Sequence, residues 1–244
     1  MVFMETERIS IIQVKDLHFS YPDAPEILSD ISFSVERGQK VAIAGPNGAG
    51  KTTLFLNLTG LLTGIGAITI KGMLLEKKNF PEIRRVLGMV FQSPDDQLFS
   101  NRVFEDVAYG LIYQGLEKAE IEERTKKALE DVNMTAYENA VPYHLSLGQK
   151  KRVAIATVLS MQPEVLLFDE PTMGLDVRAK KQFLQIVQRF SQTVLVATHD
   201  MKLAAAMCDR LIILDEGRLV YDGLMKDALH DEKLLESHGL DAEL

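Results

Sequence analysis

The segment "GPNGAGKTT", Gly45 to Thr53, places three glycines within six residues and follows them with a lysine and two threonines. Glycine accepts positive φ, so consecutive backbone N–H groups can turn inward and form a concave nest for phosphate oxygens. The apolar run "KVAIA" precedes this turn, and Leu54, Leu58, Leu61 and Leu62 follow it at helical spacing. A helix opening near Gly50 adds the positive end of its dipole to the nest. Lys51 brings a full charge to the outer phosphates, and the Thr52 hydroxyl is a ligand for Mg²⁺. Gly45, Pro46, Asn47, Gly48, Ala49, Gly50, Lys51, Thr52 and Thr53 together suit a nucleoside triphosphate.

Turnover needs a way to handle water. "VLLFDEP" delivers Asp169 and Glu170 side by side after an apolar run short enough for a strand buried on both faces. Neighbouring side chains on a strand point to opposite sides. Asp169 is then placed to hold Mg²⁺ through its water shell, and Glu170 to polarise an attacking water. An isolated "DE" is commonly two solvated acids; the glycine turn in the same chain favours the catalytic reading. His199, in "THD" after "TVLVAT", falls at a strand's carboxyl end, where open α/β sheets bind ligands. It can donate to a terminal phosphate or, as a lone histidine more often does, serve the structure.

These residues need a frame. "IIQVKDLHFSY" alternates, and "ISFSVERGQKVAIAG" reads as two strands broken at the Arg37-Gly38 turn. Gly64 and Gly66 end the first helical segment, and "AITIKGMLL" returns to strand and turn. From about Pro94 to Ser160 the pattern is helical. There "KAEIEERTKKALEDV" carries an apolar stripe at Ala119, Ile121, Ala128, Leu129 and Val132. After "VLLFDE" come a helix ("VRAKKQFLQIVQRF"), a strand ("TVLVAT"), a helix ("MKLAAAMC") and a strand ("RLIIL"). This alternation predicts a parallel α/β sheet with the helical stretch inserted as a lobe. The acidic tail "MKDALHDEKLLESHGLDAEL" predicts one short helix.

Composition narrows the partners. The chain has 244 residues, 46% apolar and 25% charged, with a net charge of −8. A polyanion surface usually needs a basic excess, so no nucleic acid is expected. The single cysteine, Cys208, excludes an intramolecular disulfide and reads as a buried core thiol. The five histidines lack ligand spacing, so no metal cluster is expected. No apolar run approaches the length of a membrane span, and "MVFMETER" lacks a secretory signal pattern, as expected of a cytosolic chain.

Together these motifs resemble the ATP-binding cassette ATPases over nearly the whole length, to about residue 225. "LSLGQKKR", Leu145 to Arg152, is similar to the family's LSGGQ signature, and "MGLD" to the loop that ends in an aspartate, here Asp176. The resemblance implies a P-loop NTPase (RecA-like) α/β core with an N-terminal antiparallel β subdomain and an inserted α-helical subdomain. Core and β subdomain would occupy about 1–92 and 161–225, the signature subdomain about 93–160, and the acidic tail about 226–244. It also implies that ATP is the nucleotide and that Tyr21 stacks on adenine. Gln92, in the family's glutamine loop, would touch Mg²⁺ or the attacking water.

The signature also has a physical reading. Ser146 offers a hydroxyl, Gly148 an unobstructed N–H, and a helix starting near Gln149 its positive end. In the family this anion site caps the γ-phosphate held by the opposing subunit, so two chains sandwich two ATP molecules. Leu147 stands where glycine is usual and bears on how a phosphate approaches.

Long coiled-coil insertions are absent, and "PDDQLF" after Gln92 is similar to the energy-coupling-factor importers of vitamins and of cobalt or nickel ions. That resemblance implies a second ATPase subunit, a transmembrane coupling protein and a substrate-binding membrane protein, with this chain at the cytoplasmic face. Asp95 and Asp96 beside Leu98 and Phe99 would rim a groove for a partner helix carrying arginine, or cap a helix after Pro94.

Overall fold

The computed structural model describes residues 10–241; "MVFMETER" lies outside the described residues. β1 (Ser10–Ser20) and β2 (Glu26–Glu36) pair antiparallel, with Val14 opposite Phe33; β2 alternates from Ile31 to Val35, whereas in β1 the irregular register leaves Ile11 and Ile12 both buried and Lys15 and Asp16 both exposed. The chain turns at Arg37-Gly38, where Gly38 takes φ +79°, into β3 (Lys40–Ala44). Then follow α1 (Lys51–Leu58), β4 (Ile65–Ile70), β5 (Met73–Leu74), α2 (Phe80–Val86) and β6 (Leu87–Val90). Three helices come next: α3 (Val103–Tyr113), α4 (Lys118–Asp131) and α5 (Leu147–Leu159). β7 (Val165–Asp169), α6 (Val177–Val187), β8 (Thr193–Thr198), α7 (Met201–Met207) and β9 (Arg210–Asp215) alternate as expected. The described chain closes with β10 (Arg218–Leu224), α8 (Met225–Leu229) and α9 (Glu232–Ser237).

Two sheets result. One runs β2-β1-β4-β5 and is antiparallel; the other runs β10-β9-β3-β8-β7-β6 and is parallel except where β10 meets β9. The larger sheet is covered on both faces, and the two-residue period of its strands divides the core. Val41, Ile43, Leu167 and Leu195 pack toward α1 and the antiparallel sheet. Ala42, Ala44, Phe168 and Val196 pack toward α5, α6 and α7. This double burial explains why β7 and β8 are continuous apolar runs rather than alternating ones. α3, α4 and α5 pack against one another, and α5 also reaches β6.

Three local expectations change. α1 stops at Leu58 instead of continuing through Leu62, and Leu61 is exposed. Gly60 takes φ +72°, the left-handed glycine that ends a helix, and the Leu62 N–H returns to the Leu56 carbonyl oxygen at 3.0 Å. On α4, Ala119 is exposed and Thr125 is buried in the stripe with Ala128 and Leu129. The tail forms two short helices rather than one, because Asp231 accepts the Leu234 N–H and starts a second helix. Cys208 is buried, which pushes its thiol up to about 12.

Candidate functional site

The register of the parallel strands brings the site together. Ala44 at the end of β3 lies opposite Thr198 of β8, and Ala197 lies opposite Asp169 of β7. The glycine turn, His199 and Glu170 therefore leave the same edge of the sheet. At Gly45 the backbone passes so close to β9 that a Cβ would sit 2.0 Å from the Leu214 carbonyl oxygen. Gly48, at φ +85°, has nothing within 4 Å of a Cβ, so it faces the open side of the loop. α1 has no side-chain cap at Gly50, which leaves its first N–H groups to the loop.

Lys51 is buried and curls back into the turn. Its Nζ donates to the carbonyl oxygens of Gly45 at 2.7 Å and Pro46 at 3.0 Å, and lies 3.6 Å from Glu170 Oε1. Burial pushes its pKa below the usual lysine range, against the opposing pull of Glu170 and Asp169. Asp169 is also buried. Thr52 Oγ1 donates to its Oδ2 at 2.8 Å, while its Oδ1 is buried with no hydrogen-bond partner. Burial pushes the Asp169 carboxyl up despite the Thr52 hydrogen bond. An orphaned carboxylate oxygen beside a threonine hydroxyl fits a hard cation with oxygen ligands.

Glu170 follows at φ +41°, a left-handed backbone that non-glycine residues rarely adopt. Its N–H donates to the Ala197 carbonyl at 2.8 Å, its Oε2 accepts from Thr198 Oγ1 at 3.3 Å, and its Oε1 lies 3.0 Å from His199 Nδ1. The His199 side chain is 51% exposed, so one edge holds the glutamate while the ring still faces solvent. Lys51, Thr52, Asp169, Glu170 and His199 form a single cluster, as the sequence suggests.

The other expected residues lie elsewhere. Ser146 heads α5, which begins at Leu147, in a reciprocal capping box: its N–H donates to Gln149 Oε1 at 2.8 Å, and its Oγ accepts the Gln149 N–H at 3.4 Å. Asp176 caps α6, accepting the Ala179 N–H at 2.7 Å. Ser146, Gly148 and Asp176 share an open cleft of about 310 Å³ with Arg152 and Arg178. Leu147 leans on the loop before Asp176, where a Cβ on Gly174 would come within 2.9 Å of its Cδ2. Gln92 is exposed and its Nε2 donates to Met173 Sδ at 2.8 Å, not to the Thr52–Asp169 pair. Tyr21 is exposed with its ring edge-on to Phe19, 4.9 Å between centroids.

Two features escape the sequence reading. Lys151, buried on α5, donates from Nζ to the Glu170 carbonyl oxygen at 3.1 Å, and burial lowers its pKa to about 8. The signal was a lysine in line with Ala154, Ile155 and Val158 on the buried stripe of an otherwise ordinary helix. The second is an apolar groove of about 600 Å³, lined by Phe91, Phe99, Tyr109, Tyr113 and Met161. Asp106 lines it too, giving its Oδ1 to the N–H groups of Phe99 and Ser100 and leaving Oδ2 buried without a partner. The expected rim of Asp95 and Asp96 is not there: neither lines the groove. The tight turn at Pro94–Asp96 sends Asp95 to Lys150 on α5 at 2.7 Å, and no side chain caps that turn.

A parallel sheet with a glycine phosphate loop, a buried strand-end aspartate and a following glutamate defines an α/β P-loop ATPase. The sequence pattern of the ABC transporter family matches residues 28–173, and the chain belongs to this family. It is 44% identical over 236 residues to the energy-coupling factor transporter ATP-binding protein EcfA of Methanocaldococcus jannaschii, covering 94% of this chain and 85% of that one. cbiO1 of Clostridium perfringens, part of the ABC transporter complex cbiONQ, superimposes with a TM-score of 0.83 at 35% identity, over 93% of this chain and 94% of its own. The dimeric MJ0796, a bacterial ABC transporter cassette, gives 0.80 at 27% identity, over 88% and 98%. The chain is an ATP-binding, ATP-hydrolysing subunit. Among the described residues no helix is long and apolar enough to cross a membrane.

Proposed function

We propose that this chain is the energy subunit of an energy-coupling-factor importer for a metal ion such as cobalt or nickel, or for a vitamin. It would sit at the cytoplasmic face of the membrane, bound to a transmembrane coupling protein that works with a substrate-binding membrane protein. The reading is supported by the groove at Phe99, Tyr109 and Tyr113, three large aromatic side chains left exposed side by side. A helix that seats apolar side chains on these exposed rings would remove them from water. The names of the relatives support the transport class.

In hydrolysis, Lys51 exchanges the carbonyls of Gly45 and Pro46 for the β- and γ-phosphates, helped by the loop N–H groups from Gly45 to Thr53. Thr52 and Asp169 would hold Mg²⁺ with Gln92, and the ion would supply charge neutralisation on the phosphates. Glu170 orients a water and accepts its proton as the water oxygen bonds to the γ-phosphorus. The bond from that phosphorus to the bridging oxygen breaks, giving ADP and phosphate. His199 holds the Glu170 carboxylate through Nδ1 and presents the rest of its ring toward the phosphate side. Tyr21 offers an aromatic surface to adenine. Ser146, Gly148 and Asp176 open into a cleft of their own, so they would complete the site of a second subunit, enclosing two ATP molecules between two chains.

Docking is tested by Tyr113→Glu. Tyr113 is 81% exposed, so the free subunit has little packing to lose. The variant should melt and hydrolyse ATP as wild type does, yet fail to co-purify with its membrane partners. Normal assembly and transport would end the docking proposal.

A further inference from the structure

We propose that Lys151 is a positioning residue for hydrolysis: its ammonium, carried on the signature helix, holds the Glu170 carbonyl and thereby the backbone that aims the Glu170 carboxylate. The inference rests on reading Glu170 as the acceptor of the water proton. Glu170 adopts φ +41° immediately before Pro171. A Cβ disfavours left-handed backbone, and a following proline favours extended conformations at the residue before it. Such a conformation persists only where its surroundings over-determine it.

The surroundings do so from three directions. The Glu170 N–H is tied to Ala197 O of β8 at 2.8 Å, and the Glu170 carbonyl takes the Met173 N–H at 3.2 Å. The third tie is Lys151 Nζ, 3.1 Å from the same carbonyl oxygen. It is the charged one, and it comes from a different element. Lys151 is 5% exposed, so its ammonium has given up its water for this contact. An apolar side chain of similar length would fill the space without that cost, and such swaps are often neutral or stabilising to a fold. A charge kept here despite the cost points to the carbonyl it holds. The same helix is capped by Ser146, so the end that faces a second chain's nucleotide and the strut on this chain's glutamate belong to one element.

The test uses the full-length chain with Lys151→Met, Lys151→Arg and Glu170→Gln, measuring kcat, KM for ATP and melting temperature. Lys151→Met should lower kcat about tenfold, the size of one charge-assisted hydrogen bond, with KM within about twofold and melting no lower than wild type. Lys151→Arg, which keeps a charged donor, should recover about threefold or more of that loss. An unchanged kcat in Lys151→Met would overturn the inference, as would arginine doing no better than methionine. A methionine variant that melts early or does not fold would also overturn it, showing a strut for the fold alone. Should Glu170→Gln turn over normally, the reading of Glu170 fails instead, and that result is visible independently of Lys151.

Discussion

Glu170→Gln should lower the rate of ATP hydrolysis by about 10²–10⁴-fold while leaving the fold and nucleotide binding in place. Glutamine keeps the length of the side chain, and its amide can still meet Thr198 Oγ1 and His199 Nδ1, which now hold the two carboxylate oxygens. What disappears is the base that accepts the water proton. Unhydrolysed ATP then persists between two chains and stabilises their association by linkage. Phosphate release measures the first effect, and light scattering with MgATP the second: the variant should dimerise more readily than wild type. Normal turnover by a folded Glu170→Gln protein would remove Glu170 from the chemistry.

Lys51→Ala should weaken ATP binding by about 10–100-fold, the worth of its charge-assisted contacts, and abolish hydrolysis. Lys51 is buried against the carbonyls of Gly45 and Pro46 and near Glu170, so the loop is shaped around a cation. The backbone donors of the loop remain in the variant, and some binding should survive for that reason. Calorimetry of the folded variant with MgATP reads the loss. Wild-type affinity would mean that Lys51 does not reach the phosphates.

The parts of this site that lie close in sequence were legible there. Gly45 to Thr53 announces itself because a phosphate nest needs its glycines, its lysine and the next helix in one stretch. β7 was equally readable, since a strand buried on both faces must be apolar until it delivers Asp169 at the sheet edge. What packing decides was less visible. Asp95 meets Lys150 across 55 residues, which removed it from the expected groove rim. Asp106 and the aromatics of the groove converge only once α3, α5 and β6 are packed together. Lys151 was hidden among three consecutive basic residues, Lys150 to Arg152, and only the buried stripe of α5 singles it out. The break between α8 and α9, by contrast, was written in the sequence as a capping aspartate, Asp231, before an apolar pair.

In a pair of chains, the phosphate loop and Glu170 of one should act on ATP together with Ser146 and Gly148 of the other. Mixing two inactive variants, Ser146→Arg and Lys51→Ala, separates this from action within one chain, each variant first shown to be folded because Ser146 also caps α5. A mixed pair carries both defects in one composite site and leaves the other site with an intact Lys51 and an intact Ser146. Partial ATPase activity should therefore reappear in the mixture although each parent is dead. No recovery, with the mixed pairs shown to form, would mean that Ser146 does not act on the partner chain's nucleotide.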